Sequence, residues 1–352
     1  MKVGTFFSGV GSPEQALKNL GIKHEIEFAC DIDKYAKETY LKNFKPKLFA
    51  EDITALDMQN LPYVDLLVFG FPCQAFSKAG KRKGFDDTRG TLFYDALRYL
   101  KEHKPRYFIA ENVKGLLSHD KGKTFGTIID CLAKTTNYQM SLMPFENLGY
   151  HIHYKVLNTK DFGLPQNRER IFIIGIRDDK DNNFNFPKEI PLELKLKDIL
   201  QDNPNSKYYL SDKAIEKIKR HNNKSLDNEL SNCIHAGYYK MGGRDQQYIS
   251  HSLEVRQLNP SLESGGQQPY QQNRIYDING INPALNAGQE IWGGNILNTK
   301  KIRRLTPIEC ERLQGFPDNF TEGVSDTQRY KQMGNTITVN VIQAIIKNLI
   351  NV

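Results

Sequence analysis

The segment Phe71-Pro72-Cys73-Gln74 places a thiol directly after the apolar run Asp65-Leu66-Leu67-Val68-Phe69-Gly70. Such a run reads as a buried strand, and parallel sheets gather their chemistry at the carboxyl ends of strands. Pro72 stiffens the approach to Cys73. A solitary cysteine is most often a small buried hydrophobe. Here it is followed by Lys78, Lys81, Arg82, Lys83 and Arg89 in a glycine-containing stretch. A basic loop beside a thiol suits both gripping phosphate and favouring thiolate. A neighbouring apolar run ends in Glu111-Asn112-Val113. A carboxyl group there can share the crevice with Cys73 and donate a proton if burial raises its pKa. The plainer alternative is a surface glutamate, with Asn112 capping the next helix. Arg168 and Arg170 alternate ahead of Ile171-Phe172-Ile173-Ile174, which points both guanidinium groups to one face. Their fixed forks of donors suit a base carbonyl or a phosphate, and a solvated strand end is the bland alternative.

The first strand ends in Phe7-Ser8-Gly9-Val10-Gly11, where glycines before a helix let a ligand approach the backbone and the helix N-terminus. Asp31 follows at the end of the next apolar run, about twenty residues on, where a ribose-binding acid belongs. The third glycine of a dinucleotide fingerprint is missing, because Glu14 stands in its place. A nucleoside ligand without a pyrophosphate therefore fits better than NAD or FAD, and an ordinary strand-to-helix turn is the alternative.

Positioning these groups takes a sheet. Short apolar runs alternate with helix-like stretches: VGTFF, PEQALKNL, IEFACDI, DKYAKETYLKNF, DLLVFG, LFYDALRYLKEH, RYFIAENV, FGTIIDCLAKT and RIFIIGIR. That alternation predicts βαβ units and an α/β fold, a mostly parallel sheet covered by helices on both faces. From about Asp178 to roughly Lys300 the chain turns rich in Asn, Gln, Gly and Ser, which reads as a second, smaller domain. The closing TVNVIQAIIKNLI has apolar residues at helical spacing and is expected to return to the first domain. Hydrophobic residues at 39% and charged ones at 25% lie in the globular range. The five cysteines are scattered without a C-x-x-C pair, so neither a disulfide framework nor a metal centre is expected. The formal net charge of +7 leans only slightly toward a polyanionic partner. No apolar stretch is long enough for a membrane span and the start lacks a signal-peptide pattern, so a cytoplasmic protein is expected.

Read in order, the blocks FFSGVGS, DIDKYA, EDIT, GFPCQAFSKAGKRKGFDDTRGTLFYD, ENVKGLL, QNRERIFIIGIR, RRLTPIECERLQGFPD and GNTITVNVI resemble the DNA cytosine-C5 methyltransferases, especially those of bacterial type II restriction-modification systems. They follow the family's order and cover the N-terminal half and the final fifty residues. The resemblance implies a Rossmann-like S-adenosylmethionine-dependent catalytic domain over residues 1–185 and 330–352, with 186–329 as target-recognition domain and hinge. It implies methyl transfer from S-adenosylmethionine to C5 of a flipped-out cytosine in duplex DNA, through a covalent bond from Cys73 to C6.

By the same resemblance Cys73 matches the nucleophile, Glu111 the acid that engages N3, and Arg170 with Arg168 the arginine pair near the base. Phe7, Gly9 and Gly11 match the cofactor loop, Asp31 the ribose acid, and Ile32, Asp52 and Ile53 the adenine side. Pro72 and Leu92 line the cofactor, and Asn335 with Thr336 closes its site. Gln74, Ser77, Lys81, Arg82, Lys83, Arg89, Arg244, Gln267 and Arg274 are the expected DNA contacts, with Gln267 in Ser264-Gly265-Gly266-Gln267-Gln268 the candidate to fill the hole left by the base. The segment from Lys78 to Gly90 is expected to close over DNA. Three positions depart from the family: Thr5 stands where many members carry Asp, Ser12 replaces a common Gly, and Ile32 sits where an aromatic often stacks on adenine. The expected partners are double-stranded DNA and a separately encoded restriction endonuclease, paired in function without a stable complex, and the chain is expected to be a monomer. The alternatives are a transfer-RNA cytosine methyltransferase on the same scaffold and a catalytically silent DNA-binding relative.

Overall fold

A computed structural model of the chain describes residues 1–72, 92–136, 139–140, 148–180, 183–211, 231, 233–236, 238, 248–251 and 301–350. The chain divides into two compact units. One comprises Met1–Leu200, Glu229–Met241 and Pro307–Val352, and the other Gln201–Asn228 and Gly242–Thr306.

In the larger unit the strands are β1 (Lys2–Phe6), β2 (Glu25–Cys30), β3 (Leu48–Ala50), β4 (Leu66–Gly70), β5 (Tyr107–Val113), β6 (Ala133–Thr136), β7 (Gln139–Met140), β8 (Tyr150–Asn158) and β9 (Glu169–Arg177). They form one sheet in the order β3-β2-β1-β4-β5-β9-β8-β6-β7. The first five strands in that order are mutually parallel, as the βαβ alternation predicts. The chain moves outward from β1 to β3 and then crosses back to β4, so the order of winding reverses between the parallel neighbours β1 and β4, and their carboxyl ends open a crevice there.

β9 departs from the parallel pattern. It runs antiparallel between β5 and β8. The link from Asn158 to Glu169 is too short for a crossover helix, so the chain folds back as a hairpin around a 3-10 turn at Thr159–Phe162. The predicted helix over FGTIIDCLAKT stops at Leu132, where Ala133 turns extended and the Thr-rich AKTT continues as β6.

Helices α1 (Ser12–Asn19), α2 (Lys34–Asn43), α3 (Leu92–His103), α4 (Lys123–Leu132), α5 (Leu196–Ile199), α6 (Pro307–Leu313), α7 (Asp326–Asn335) and α8 (Val339–Leu349) complete the unit. Local signals start them: Pro13 pre-sets the first turn of α1, and the Asp33 side chain caps α2 by accepting from the amides of Tyr35 and Ala36. The apolar stripe of α8, Val339, Ile342, Ile345, Ile346 and Leu349, is buried, and α8 packs on α1, the return to the first domain that the sequence leads one to expect. Between sheet and helices the core holds Phe6, Phe28 and Tyr99, whose rings lie 5.1 to 5.6 Å apart, with Phe69, Phe93 and Phe108 beside them.

In the smaller unit β10 (Tyr248–His251) pairs antiparallel with β11 (Lys301–Arg304), Tyr209 bridges Arg303, and the Arg304 guanidinium lies over the Tyr208 ring at 5.6 Å.

Candidate active site

A cleft enclosing about 400 Å³ of non-protein space, its open mouth included, lies at the carboxyl ends of β1 and β4. Its walls are Thr5 to Gly9, Ser12 and Pro13 on one side, Val68 to Gly70 below, and Asn335 to Ile337 with Glu111 on the other. The turn after β1 owes its shape to three left-handed residues, Phe7 at φ 53°, Gly9 at φ 54° and Gly11 at φ 91°. Phe7 is the costly one, since a side chain there is strained by about 1 kcal/mol or more, and such strain collects at ligand sites. Gly11 has a second reason: a Cβ there would come within 2.4 Å of the Phe44 ring.

Asp31 leaves the end of β2 beside this turn. Its Oδ2 accepts from Gly9 N at 2.8 Å and its Oδ1 from Asp33 N at 2.9 Å. Burial pushes its carboxyl above the usual range, against the pull of those two amides. Each oxygen keeps a lone pair, so a vicinal diol can still donate to it. Next to it Ile32 is 78% exposed, the most exposed large hydrophobic side chain among the described residues. Asp52 is exposed, its Oδ1 accepting from Thr54 N and Oγ1, and Ile53 is buried. Pro72 is exposed, Leu92 is half-buried at the start of α3, Asn335 is exposed at the cleft and Thr336 is buried there.

The β5–β9 register brings the acid and one arginine together. Val113 lies opposite Arg170 and Glu111 opposite Phe172, which makes Glu111 and Arg170 diagonal neighbours on one face. Arg170 Nε stands 3.1 Å from Glu111 Oε1, both side chains largely buried at 19% and 12% exposure. Burial raises the Glu111 pKa, and the cations of Arg170 and then Arg168 pull it back. Asn112, on the other face, donates from Nδ2 to the Phe71 carbonyl at 2.8 Å and so fixes the chain that leads from β4 toward position 73.

Arg168 is placed differently. It is fully buried, and its Nη1 donates to the Ile234 carbonyl at 2.7 Å while Nη2 donates to the carbonyls of Gly334 at 3.0 Å and Thr336 at 2.7 Å. Both arginines also meet one sulfur, Cys233 Sγ, at 3.3 Å from Arg168 Nη1 and 3.9 Å from Arg170 Nη2. Arg168 thus ties the strand bearing Arg170 to the segment at Ile234 and to the cleft wall at Thr336. Gly334 permits the close approach, because a Cβ there would fall 2.2 Å from Ala236 N. Arg168→Ala strands three buried carbonyls and is expected to cost roughly 3 kcal/mol or more. Thermal unfolding reads this as a midpoint several degrees lower. Arg168→Lys should not restore it, because an ammonium lacks the planar fork. An unchanged midpoint would show that the carbonyls find other partners.

Cys73, Gln74, Ser77, Lys81, Arg82, Lys83, Arg89, Arg244, Gln267 and Arg274, together with the Lys78 to Gly90 segment, lie outside the described residues. Thr5, Ser8, Ser12, Pro13 and Ile337 line the cleft although sequence reasoning did not assign them to it. Ser8, Ser12 and Ile337 each adjoin a residue that was chosen, whereas Thr5 and Pro13 stand two positions away from one.

The sequence profile described as C-5 cytosine-specific DNA methylase matches residues 1–351. The chain belongs to this family. The enzyme is therefore a DNA cytosine-C5 methyltransferase, and its similarity to relatives runs the length of the chain. It is 36% identical over 348 residues to the type II methyltransferase M.HhaI of Haemophilus parahaemolyticus, covering 97% of this chain and 92% of that protein. It is 35% identical to the type II methyltransferase M.NlaX of Neisseria lactamica, covering 99% and 96%, and 32% identical to the orphan methyltransferase M.SPRI of Bacillus phage SPR, covering 100% and 98%. Among solved structures, the fold of this methyltransferase matches that of the Entamoeba histolytica methyltransferase EhMeth with a TM-score of 0.68 at 20% identity, over 100% of this chain and 98% of that one. No helix among the described residues is long and apolar enough to cross a membrane.

Proposed function

We propose that the methyltransferase takes its methyl group from S-adenosylmethionine and delivers it to a cytosine swung out of duplex DNA, through a transient bond between Cys73 sulfur and cytosine C6. A separately encoded restriction endonuclease, kept from cutting the modified sequence, is its proposed functional partner, a reading supported by the type II names of the bacterial relatives. The observation that carries the proposal is the shared cleft: Glu111 lines the same cavity as the turn after β1 and the Asn335 to Ile337 wall. A proton donor and a cradle for a nucleoside thus face one space.

The residues fit the donor. Asp31, bonded to the turn that lines the cleft, retains acceptor capacity for ribose hydroxyls, exposed Ile32 next to it offers an apolar face to adenine, and Asn335 and Thr336 line the cleft. When bound, S-adenosylmethionine supplies a methyl carbon on a positively charged sulfur, open to attack by a carbon nucleophile.

Cytosine C5 is a poor nucleophile until the ring's conjugation is broken. Cys73 breaks it: the thiolate forms the C6–S bond and pushes the C5–C6 electron pair onto the ring. Glu111, protonated, donates to N3 as charge builds there, while Arg170 holds the O2 side. After C5 is methylated, the C5 proton leaves to a base and its electron pair re-forms the C5–C6 double bond. The same movement of electrons breaks the C6–S bond and returns Cys73 as thiolate, and the N3 proton goes back to Glu111. Swinging the base out of the stack costs a few kcal/mol, about what a filler such as Gln267 and phosphate contacts from the basic loop must offset.

Bisulfite sequencing of DNA from cells expressing the protein tests the proposal. Cytosines in one short sequence context are expected to resist conversion, and transfer RNA from the same cells is expected to show no new resistant position. Full conversion of every DNA context would overturn the proposal.

A further inference from the structure

Glu14 is a buried acid that the reaction above does not use. It stands in the first turn of α1, fully buried, and the sequence marked it only as the residue that displaces a glycine. Its Oε1 accepts from Tyr40 OH at 2.6 Å and from Thr5 Oγ1 at 2.9 Å, while Oε2 has no partner among the described residues.

From Thr5 the hydrogen bonds continue. The hydroxyls of Thr5 and Ser8 lie 2.8 Å apart, and Ser8 Oγ accepts from Cys30 N at 2.9 Å. Ser8 N donates to the Cys30 carbonyl at 3.0 Å, and the next residue on each side, Gly9 and Asp31, are joined amide to carboxylate. An unbroken path therefore runs from Tyr40 through Glu14, Thr5 and Ser8 to the end of β2, where Asp31 projects. Thr5 and Ser8 both line the cleft, and the strained Phe7 lies between them. A left-handed non-glycine residue persists only where its surroundings over-determine it.

The chemistry of the path is that of a neutral group. No cation among the described residues pairs with Glu14, burial raises its pKa, and two hydroxyl donors oppose the rise without cancelling it. A buried acid in such company keeps its proton rather than stand as an unpaired charge. A carboxyl group thus reaches the Thr5 hydroxyl from α1.

We propose that Glu14 is a positioning residue for the methyl donor: acting through Thr5 and Ser8, it holds the Phe7 to Gly9 backbone in the shape that admits the donor, as a neutral hydrogen-bonding group and not as a charge. The inference rests on the reading of the cleft as the donor site.

The test is calorimetric titration of S-adenosylmethionine into the full-length parent, Glu14→Ala, Glu14→Gln, Thr5→Val and the Glu14→Ala/Thr5→Val double variant, with KM and kcat measured on duplex DNA. Glu14→Ala is expected to raise Kd and KM for the donor about tenfold, the scale of one or two net hydrogen bonds, with kcat at saturating donor within about twofold. Glu14→Gln, which keeps the acceptor and puts N–H where Oε2 stood, is expected within about twofold of the parent. The double variant is expected to bind no worse than Glu14→Ala, because the two residues act in series. Donor affinity unchanged in Glu14→Ala, or weakened equally in Glu14→Gln, would overturn the proposal. Should Glu14→Ala fail to fold, Glu14→Gln and Thr5→Val carry the test, and an unchanged KM in Thr5→Val overturns it. A parent that does not bind the donor would instead overturn the reading of the cleft.

Discussion

Cys73→Ser is expected to lower methyl transfer to duplex DNA by about three orders of magnitude or more, the scale on which enzymes lose rate when a covalent nucleophile is removed. The reason is the atom. A thiol has a few per cent of thiolate at neutral pH and leaves carbon readily, whereas an alcohol is protonated and expels poorly, so both the addition to C6 and the final elimination suffer. Transfer of labelled methyl groups to DNA reads the effect. Donor titration on the same variant separates it from loss of binding, which is expected to stay within about threefold of the parent because Pro72, not Cys73, is the residue assigned to the donor. A serine variant as fast as the parent would remove the covalent step from the mechanism.

The second large effect concerns Glu111. Glu111→Gln is expected to lower kcat by about two to four orders of magnitude, the range for losing a general acid. Its pH dependence has a definite sign. Burial raises the Glu111 pKa and the Arg170 and Arg168 cations oppose that rise, leaving it above the ordinary carboxylate range. With Glu111 as the proposed proton donor, the rate is expected to fall as pH rises through that pKa. With Cys73 as the proposed thiolate nucleophile, the rate is also expected to fall as pH drops through the thiol's pKa, which makes the expected parent profile a bell. Glu111→Gln is expected to erase the alkaline limb that belongs to Glu111. Arg170→Ala, which removes the nearer cation, is expected to move that limb to higher pH besides lowering kcat. An alkaline limb unchanged in Glu111→Gln would assign it to some other group.

In the parallel half of the sheet β1, β2, β4 and β5 were readable in the chain because they are short apolar runs separated by amphipathic stretches, whereas the three-residue β3 was not. β8 was not, since YHIHYKVLN mixes histidines and a lysine into its alternation. The meeting of Glu111 with Arg170 depends on register between β5 and β9, which no local pattern encodes; only the resemblance to a family joined them. Local spacing made Arg168 and Arg170 equivalent. They differ because the partners of Arg168, the carbonyls of Ile234, Gly334 and Thr336, come from segments far apart in the chain. Glu14 was visible as a residue out of place in a glycine pattern, but its use lies in Tyr40 and Thr5, which converge on it only in the folded state.

The bond between Cys73 and cytosine C6 is the claim on which the account turns, and a duplex containing 5-fluorocytosine in place of cytosine tests it most directly. Fluorine at C5 cannot leave as a proton does, so methylation proceeds and elimination does not. The parent, incubated with this duplex and S-adenosylmethionine, is expected to form an adduct that survives denaturation, with mass spectrometry placing the modified base on the peptide that carries Cys73, and Cys73→Ser is expected to form none. A parent that methylates ordinary DNA yet yields no adduct, or an adduct on another residue, would contradict the account.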